Sequence, residues 1–368
     1  MTDTFEIFCT APPGLEHALR REMLGKGFAG ADAGKGGVTV RGGWADVWRA
    51  NLELRGAGRV LARIREFRAF HLAQLDKRAR KFDWGAVLRP GVPVRVEVAT
   101  DRRSKIYHGR AATERIETAL KDAGFSIDAD APVRVMVRID DNNVILSVDT
   151  SGESLHKRGH KEAVGKAPMR ETLAALFLAE CGYTGTEPVV DPMCGSGTFV
   201  IEAAEIAAGL QPGRSREFAF QQLATFDART FTALKRTAGP LPDLRFHGSD
   251  RDAGAVAMAR QNAERAGVAA VTTFTHHAVS DLARPEGPPG LVMVNPPYGA
   301  RIGDKKQLFP LYGALGKTLM ERFSGWRVGI VTSEAGLAKA TGLPFKPTKI
   351  TVPHGGLRIT LHRTGPLP

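Results

Sequence analysis

The chain has 368 residues, of which 43% are hydrophobic, so it can bury a large core and is predicted to form two or three domains. Lys and Arg outnumber Asp and Glu by 51 to 39, and the resulting formal net charge of +12 favours a phosphate-bearing partner. The N-terminus lacks the basic start and apolar core of a signal peptide, and no apolar run is long enough to span a membrane. We therefore expect a cytoplasmic protein without a membrane segment.

The three cysteines, Cys9, Cys181 and Cys194, lie far apart and show neither Cys-x-x-Cys nor Cys/His ligand spacing. Such spacing is what disulfide frameworks and zinc sites require. The sequence therefore predicts neither disulfides nor a metal site, as suits a reducing compartment.

Residues 1–70 predict a small α+β unit. A strand over Phe5–Thr10 is followed by a helix in "LEHALRREML", a strand in "GGVTVRG", a helix around "WADVWRANLELRGA" and a strand in "VLARIREF". Residues 71–155 predict a second unit, with a strand in "VPVRVEVATD" and a helix in "RAATERIETALKDAG". In "VRVMVRIDDNNVILSVDT", two alternating runs flank the turn residues "DDNN", which predicts a hairpin.

Residues 156–368 alternate apolar strand-like runs with helical patterns. The runs are "EPVVDP", "LRFHGSD", "TTFTH", "GLVMVN", "WRVGIVT", "TKITVP" and "LRITLH". This alternation predicts an α/β fold with a doubly wound, mostly parallel sheet. Only "HGG" separates the last two runs, so they are expected to pair antiparallel as a hairpin at the sheet edge.

The residues just after each strand are the candidates for a binding site, because ligands of open α/β sheets bind beyond the carboxyl ends of the strands. After the first run comes "DPMCGSGTFVIEAA", in which Gly195 and Gly197 let a ligand approach the backbone and Thr198 can open a helix. A dinucleotide fingerprint would need a third glycine where Val200 stands, and a phosphate loop would need Gly-Lys-Ser/Thr here. Neither nucleotide loop is supported.

Two acidic residues follow the second run, in "GSDRDAGAV". Asp250 at the strand end can accept hydrogen bonds from both hydroxyls of a ribose. Asp252 is suited to cap the next helix, and helix-start chemistry is an open alternative for both residues.

The tetrapeptide "NPPY" follows the fourth run. An exocyclic amine on a base is a poor nucleophile because its lone pair is delocalised into the ring. The Asn295 side-chain carbonyl and the Pro296 main-chain carbonyl can each accept one N–H of such an amine, while Pro297 stiffens the turn and Tyr298 offers a face for stacking. The alternative is a turn that merely ends a strand.

In that order on alternating strands, "DPMCGSGT", "GSD" and "NPPYG" resemble the class I S-adenosylmethionine-dependent methyltransferases that modify amino groups. The segment "SLHKRGHKEAVGKAPMRETLAALFL" and the N-terminal half resemble the THUMP-containing RNA methyltransferases, especially the bacterial 23S ribosomal RNA guanine-N2 branch. The resemblance implies a ferredoxin-like domain over residues 1–70, an RNA-binding THUMP domain over 71–155, and a Rossmann-like catalytic domain over 156–368.

The resemblance also implies roles for individual residues. Asn295 to Tyr298 would hold the target base and Asp250 the cofactor ribose. The remaining predicted cofactor residues are Asp191, Pro192, Gly195, Gly197 and Thr198 in the glycine turn, with Met169 and Glu171 in the helix that precedes the first strand.

Between Arg55 and Lys81 there are nine basic residues and two acidic ones. The cluster is either a solvated face of a basic protein or an RNA-binding surface. The candidate RNA contacts, with two more from the start of the predicted catalytic domain, are Arg63, Arg65, Arg68, Lys77, Arg78, Arg80, Lys81, Lys157 and Arg158.

Two features depart from the usual class I pattern. The glycine turn and Asp250 are about twice as far apart as one strand-helix-strand step requires, which predicts an insertion over residues 209–243 with its own helix. The family resembled has a similar insertion. At the end of the third strand, where the family places an Asp against adenine, the chain has Ala278, and Asp281 is the nearest substitute.

The substrate remains open at this level, since adenine-N6 DNA methyltransferases and enzymes that methylate a glutamine amide use the same chemistry. The basic N-terminal half favours structured RNA, with 23S ribosomal RNA first and transfer RNA second. A ribosome-assembly factor that binds RNA without turnover is the non-enzymatic alternative.

Overall fold

The computed structural model describes residues 4–161, 169–299, 305–348 and 350–368. The chain forms two compact units, neither of them contiguous in sequence. The N-terminal unit comprises Met1–Ala11, Glu22–Leu155 and Arg216–Lys235, and the C-terminal unit comprises Pro12–Arg21, His156–Ser215 and Arg236–Pro368.

The first 155 residues contain seven strands and four α-helices among the residues described. They are β1 (Phe5–Thr10), α1 (Glu16–Gly25), β2 (Asp32–Gly34), β3 (Gly37–Gly42), α2 (Trp44–Glu53), β4 (Val60–Arg68), α3 (Leu72–Arg80), β5 (Val94–Thr100), α4 (Gly109–Asp122), β6 (Val133–Asp140) and β7 (Asn143–Asp149). The strands form one sheet in the order β2-β3-β1-β4-β7-β6-β5. Because β4 pairs with β7, the sheet runs across the boundary predicted at residue 70, and the division into 1–70 and 71–155 stays a prediction.

The predicted hairpin of this sheet is confirmed. β6 and β7 pair antiparallel, and the two turn residues, Asp141 and Asn142, have φ values of 48° and 61°. Two successive left-handed residues match the right-handed twist of the flanking strands, and Asp and Asn tolerate this conformation better than other side chains. The "DDNN" sequence therefore sets the register of β6 against β7.

Residues 169–368 contain the second sheet. The elements are α5 (Glu171–Glu180), β8 (Val189–Asp191), α6 (Thr198–Ala207), α7 (Ala228–Leu234), β9 (Phe246–Asp250), α8 (Ala253–Ala266), β10 (Thr272–His276), β11 (Leu291–Val294), α9 (Lys305–Arg322), β12 (Arg327–Thr332), α10 (Ala335–Ala340), β13 (Thr351–His354) and β14 (Leu357–Arg363). The strand order is β10-β9-β8-β11-β12-β14-β13, and β10 to β12 are parallel. β14 pairs antiparallel with β12 and β13, so the predicted α/β fold and its edge hairpin are confirmed.

The predicted insertion does carry its own helix, α7, and residues 216–235 pack in the N-terminal unit. Phe220 is fully buried, and its ring centroid lies 6.2 Å from that of Trp48 on α2. Leu223 forms an isolated antiparallel bridge with Leu88. The Arg216 guanidinium donates hydrogen bonds to the Ser151 and Glu153 carbonyls. This stretch of the insertion is therefore part of the core and backbone pairing of the N-terminal unit.

A hydrophobic cluster supports the parallel sheet on the side of α9. It includes the fully buried Tyr312, Phe323 and Trp326, which pack with Val294 and Ile330 of the strands. None of the helices in the described ranges is long and apolar enough to cross a membrane.

Candidate active site

The ends of three neighbouring strands bring the predicted site residues to one edge of the sheet. β8 lies between β9 and β11, and both pairings are parallel. Asp191, the last residue of β8, pairs with Gly248 of β9, so Asp250 lies two residues beyond the end of β8. Val190 pairs with Val292 of β11, so Asn295 also lies beyond that end. The chain reverses its direction of winding between β8 and β11, the position at which doubly wound sheets open a crevice for ligands.

The glycine turn after β8 has the left-handed backbone that its sequence predicts. Gly195 has a φ of 51° and Gly197 a φ of 84°, values that other residues rarely adopt. A Cβ on Gly197 would come within 3.1 Å of the Ala259 Cβ, whereas a Cβ on Gly195 would meet nothing within 4 Å. Gly197 thus allows close helix packing. Gly195 leaves open space at the strand edge, as a bound ligand would require.

The Asp250 carboxylate orders the glycine turn from the neighbouring strand. Its Oδ2 accepts a hydrogen bond from the Gly195 N–H at 3.0 Å, and its Oδ1 accepts one from the Asp252 N–H at 3.0 Å. Each carboxylate oxygen can accept a second bond, so Asp250 can still receive two hydroxyl groups. Asp252 instead caps α8 by accepting from the N–H groups of Gly254 and Ala255, which agrees with the helix-start alternative.

Asp191, the last residue of β8, is almost completely buried. Its Oδ1 accepts a hydrogen bond from the Met193 N–H at 3.1 Å. Burial raises the pKa of Asp191 well above the usual range of a carboxyl, and the nearby Asp250 charge adds to this rise. Two carboxyl groups in one small region, one of them desolvated, are typical of a functional site.

The Asn295 side chain provides an acceptor that is left without a partner. Its Oδ1 is buried, and no donor among the described residues forms a hydrogen bond with it. A buried carbonyl without a partner costs free energy, so its presence in a native fold calls for a ligand or a functional explanation. Tyr298, three residues on, is half-buried, and burial raises the pKa of its hydroxyl to about 12.

Met169 and Glu171, two of the predicted cofactor residues, both contact Lys161, a residue not among the sequence-based candidates. Lys161 Nζ lies 2.9 Å from the Glu171 carboxylate, 2.8 Å from the Thr198 hydroxyl and 3.2 Å from the Met169 carbonyl oxygen. Glu171 begins α5 and Thr198 begins α6. The signal available in sequence was the basic run "SLHKRGHK", which resembles an exposed linker rather than a packed segment.

The position predicted for an adenine contact has no acidic side chain. Ala278 is exposed and precedes a single 3₁₀ turn over Val279–Asp281, and Asp281 is also exposed. The role of Asp281 therefore stays a prediction.

Three of the nine candidate RNA contacts form ion pairs within the protein, and they are Arg158, Arg63 and Arg80. Arg158 is 1% exposed and forms an ion pair with Glu202 at 3.2 Å, so its prediction as an RNA contact is wrong: this guanidinium is enclosed by protein. Arg63 is paired with Glu6 at 2.8 Å and lies over the Phe8 ring. Arg80 is paired with Asp76 and Asp122. The other candidates lie on exposed positions and are Arg65, Arg68, Lys77, Arg78, Lys81 and Lys157.

Three of the exposed cations surround a surface depression in the N-terminal unit. The depression has a volume of about 340 Å³ and is lined by Arg65, Arg78 and Lys81 together with Phe67, Phe82 and one acidic residue, Asp83. Cations and aromatic rings together are typical of surfaces that bind phosphates and stack bases. The basic cluster predicted from sequence therefore contains one compact cationic surface.

Comparison with known families identifies the family to which the C-terminal unit belongs. The family described as "RMKL-like, methyltransferase domain" matches residues 158–361, more than half of the chain. The chain belongs to this family. A second family, the RlmL ferredoxin-like domain, matches residues 6–61.

Relatives match more than nine-tenths of this chain. The ribosomal RNA large subunit methyltransferase K/L of Methylococcus capsulatus is 34% identical over 93% of this chain, and the match covers 49% of that protein. The chain thus spans about half the length of that relative. A Synechocystis protein provisionally named as an RNA methyltransferase is 31% identical, with 97% of this chain and 96% of that protein covered.

Solved structures show the same fold at full length. SMU.472, crystallised as a complex with SAH, is 27% identical, with a TM-score of 0.86 and all of both chains covered. A protein from Listeria monocytogenes, described as a predicted N6-adenine-specific DNA methylase, is 28% identical with a TM-score of 0.86, covering 99% of this chain and 97% of that one.

Proposed function

We propose that this chain transfers a methyl group from S-adenosylmethionine to an exocyclic amino group of a base in structured RNA, with guanine N2 of 23S ribosomal RNA as the target. The observation that carries the proposal is the buried Asn295 Oδ1, which has no donor among the described residues and lies beside a glycine turn with open space at Gly195. An amine N–H is the kind of donor that would satisfy it.

The residues around the glycine turn fit the cofactor. Gly195 leaves room for close approach, and Asp250 keeps acceptor capacity for the two ribose hydroxyls. SMU.472, which shares this fold, was crystallised with SAH, the product left when S-adenosylmethionine has given up its methyl group. When bound, the cofactor supplies an electrophilic methyl carbon attached to a positively charged sulfur.

Asn295 and Pro296 would act on the nucleophile. By accepting its two N–H groups they hold the amine so that its lone pair points at the methyl carbon instead of delocalising into the ring. The buried, rigid turn holds these acceptors in place before the reaction begins, which is the basis of electrostatic preorganisation. The amine can release its proton to water after the new bond has made it cationic, so the site needs no strong general base.

The basic N-terminal unit supports RNA as the substrate class. Its depression presents the cations of Arg65, Arg78 and Lys81, which exceed the single acidic residue of the lining, Asp83, and can contact phosphates. The names of the Methylococcus and Synechocystis relatives agree with RNA, and the former directs the proposal to large-subunit ribosomal RNA. The name of the Listeria protein instead makes adenine N6 in DNA the competing substrate.

The decisive experiment supplies radiolabelled S-adenosylmethionine with one nucleic acid at a time. The substrates are 23S ribosomal RNA and transfer RNA, each isolated from a strain lacking the gene, and duplex DNA. Label recovered as N2-methylguanosine from 23S ribosomal RNA alone is the expected result. Label in transfer RNA, or label in DNA as N6-methyl-2′-deoxyadenosine, would change the proposed substrate. Cofactor binding without turnover on any of them would favour an RNA-binding assembly factor.

A further inference from the structure

Asn262 lies in the second half of helix α8 and is completely buried, although an amide side chain is usually exposed. Its Nδ2 donates a hydrogen bond to the Ser196 main-chain carbonyl at 3.0 Å, and its Oδ1 accepts one from the Arg265 guanidinium at 2.5 Å. A guanidinium only donates hydrogen bonds, so the amide oxygen must face Arg265 and the amide nitrogen must face Ser196. The surroundings of Asn262 therefore determine how its amide is oriented.

The carbonyl that Asn262 binds belongs to the centre of the glycine turn. Ser196 stands between Gly195 and Gly197, and both glycines have left-handed backbone conformations. Glycine adopts many backbone conformations at little cost, so a peptide group next to it rotates more easily than one between larger residues. A turn of this composition needs contacts from outside to keep a single conformation.

Strand β9 and helix α8 supply such contacts. From β9, the Ser249 carbonyl accepts a hydrogen bond from the Cys194 N–H at 2.9 Å, and Asp250 accepts one from Gly195. From α8, Asn262 binds the next carbonyl along the turn. Ala259, one helical turn before Asn262 on the same face of α8, packs directly against Gly197. The strand thus holds the first half of the turn, and the helix holds the second half.

Burial alone explains part of the Asn262 contact. A carbonyl removed from water needs a donor, and an amide that supplies one stabilises the fold. The position of the carbonyl indicates a second role, because the same turn leaves open space at Gly195. The conformation of the turn decides whether a ligand can occupy that space.

We propose that Asn262 is a positioning residue that preorganises the glycine turn for the cofactor. It acts through the Ser196 carbonyl, which it keeps directed at α8 so that this oxygen does not enter the space at Gly195. Without this bond the turn would populate further conformations, and the apparent affinity for the cofactor would fall with the fraction of turns that can bind it. The inference rests on the proposed function, because it concerns the same cofactor site.

A second buried asparagine provides a matched control. Asn51 on α2 is 1% exposed, and its Nδ2 donates to the Val47 carbonyl at 3.0 Å and to the Thr150 hydroxyl at 2.9 Å. All three of these residues belong to the N-terminal unit. Asn262→Ala and Asn51→Ala therefore each remove one buried amide, but only the first amide contacts the glycine turn.

Three measurements on the full chain separate positioning from stability. Both alanine variants should lower the urea midpoint. Asn262→Ala alone should weaken S-adenosylhomocysteine binding in calorimetry, roughly tenfold, the effect of one hydrogen bond. In steady-state kinetics it should raise the KM for S-adenosylmethionine by the same factor and leave kcat unchanged, because a saturating cofactor selects the turn conformation that binds it.

Asn262→Asp keeps the side-chain shape and the contact with Arg265 but presents an oxygen to the Ser196 carbonyl. It should bind S-adenosylhomocysteine at least as weakly as the alanine variant does. Wild-type affinity in either Asn262 variant would show that the amide only stabilises the fold, and a lower kcat with an unchanged KM would also overturn the inference. Failure of the wild type to bind S-adenosylhomocysteine would instead overturn the proposed function.

Discussion

The Tyr312 hydroxyl lies 3.3 Å from the Pro297 main-chain carbonyl oxygen and 3.3 Å from the Thr332 hydroxyl. Tyr312 is completely buried on α9, and Thr332 ends β12. Burial raises the pKa of the Tyr312 hydroxyl, so it stays protonated and can donate a hydrogen bond. A core side chain thus fixes the turn that carries Asn295.

Tyr312→Phe keeps the ring in the core and removes only the hydroxyl. The loss of one hydrogen bond is worth about 1 kcal/mol, so turnover is expected to fall roughly fivefold while the Kd for S-adenosylhomocysteine stays the same. Steady-state kinetics and calorimetry would measure the two quantities. Tyr107→Phe, at a tyrosine that is 58% exposed, is the matched control and should leave both unchanged. Unchanged turnover in the Tyr312 variant would show that the turn does not need this tether.

Asn295→Ala should lower turnover by about 100- to 1,000-fold, the effect of removing one preorganised transition-state contact. RNA and cofactor affinities should stay close to wild type. The free energy of unfolding should not fall, because the deleted Oδ1 has no hydrogen-bond partner among the described residues. Single-turnover kinetics, binding assays and urea unfolding test the three parts, with Asn143→Ala in the β6–β7 turn region as the control. A variant that keeps full activity would refute the mechanism.

Asp191→Asn tests whether the buried carboxyl group serves ligand binding rather than the stability of the fold. A carboxyl whose pKa is raised by folding destabilises the fold once the pH exceeds its unfolded value, because ionisation then favours the unfolded chain. Asparagine avoids ionisation and can still accept the Met193 N–H. The variant should therefore be at least as stable as wild type at pH 7 while binding S-adenosylhomocysteine more weakly. Thermal unfolding and calorimetry would check this, and lower stability would contradict it.

Acidification should destabilise the protein through its histidines. Burial, helped by the charges of Arg170 and Arg158, lowers the pKa of His156 to about 4, and burial also lowers the pKa values of His160, His247, His354 and His362. Between pH 6.5 and 4 the unfolded chain binds protons that the native state refuses, so stability falls with the pH. The urea midpoint should drop from pH 7 to pH 5. His156→Gln should reduce the drop, whereas the exposed His17→Gln should not.

Substitution of exposed cations in the surface depression should affect RNA binding, whereas substitution of the buried Arg158 should affect stability. Arg78→Gln with Lys81→Gln removes two cations from the surface depression and should lower the salt slope of RNA binding by about two, one for each phosphate contact. Arg158→Gln should leave that slope unchanged and lower the free energy of unfolding, on the order of 3–5 kcal/mol, because a buried ion pair is broken. Filter binding at several salt concentrations would measure the slopes. A reduced slope for Arg158→Gln alone would reverse the assignment.

The strands and the functional residues at their ends could be predicted because the signal for each lies in a few consecutive residues. Alternating or continuous apolar runs identify strands, and Asp250 and Asn295 follow such runs directly. The packing of Arg158 against Glu202, 44 positions away, has no local signal, and neither does the contact of Lys161 with Thr198. A basic run has the composition of a solvated linker whether or not the fold encloses it. Helix α3, which carries Lys77, Arg78 and Arg80, was not predicted either, because its buried face consists of two residues, Leu75 and Ala79, which is too short for a recognisable helical pattern.

The position of residues 216–235 in the N-terminal unit has a consequence for biosynthesis. Phe220 and Leu223, which complete the packing against Trp48 and the pairing with Leu88, are translated after β8 and α6 of the other unit. The N-terminal unit therefore cannot reach its final core while it is the only part of the chain outside the ribosome. Folding of this protein during translation is expected to be interleaved, with the core of the N-terminal unit closing only after β8 and α6 of the other unit have been made.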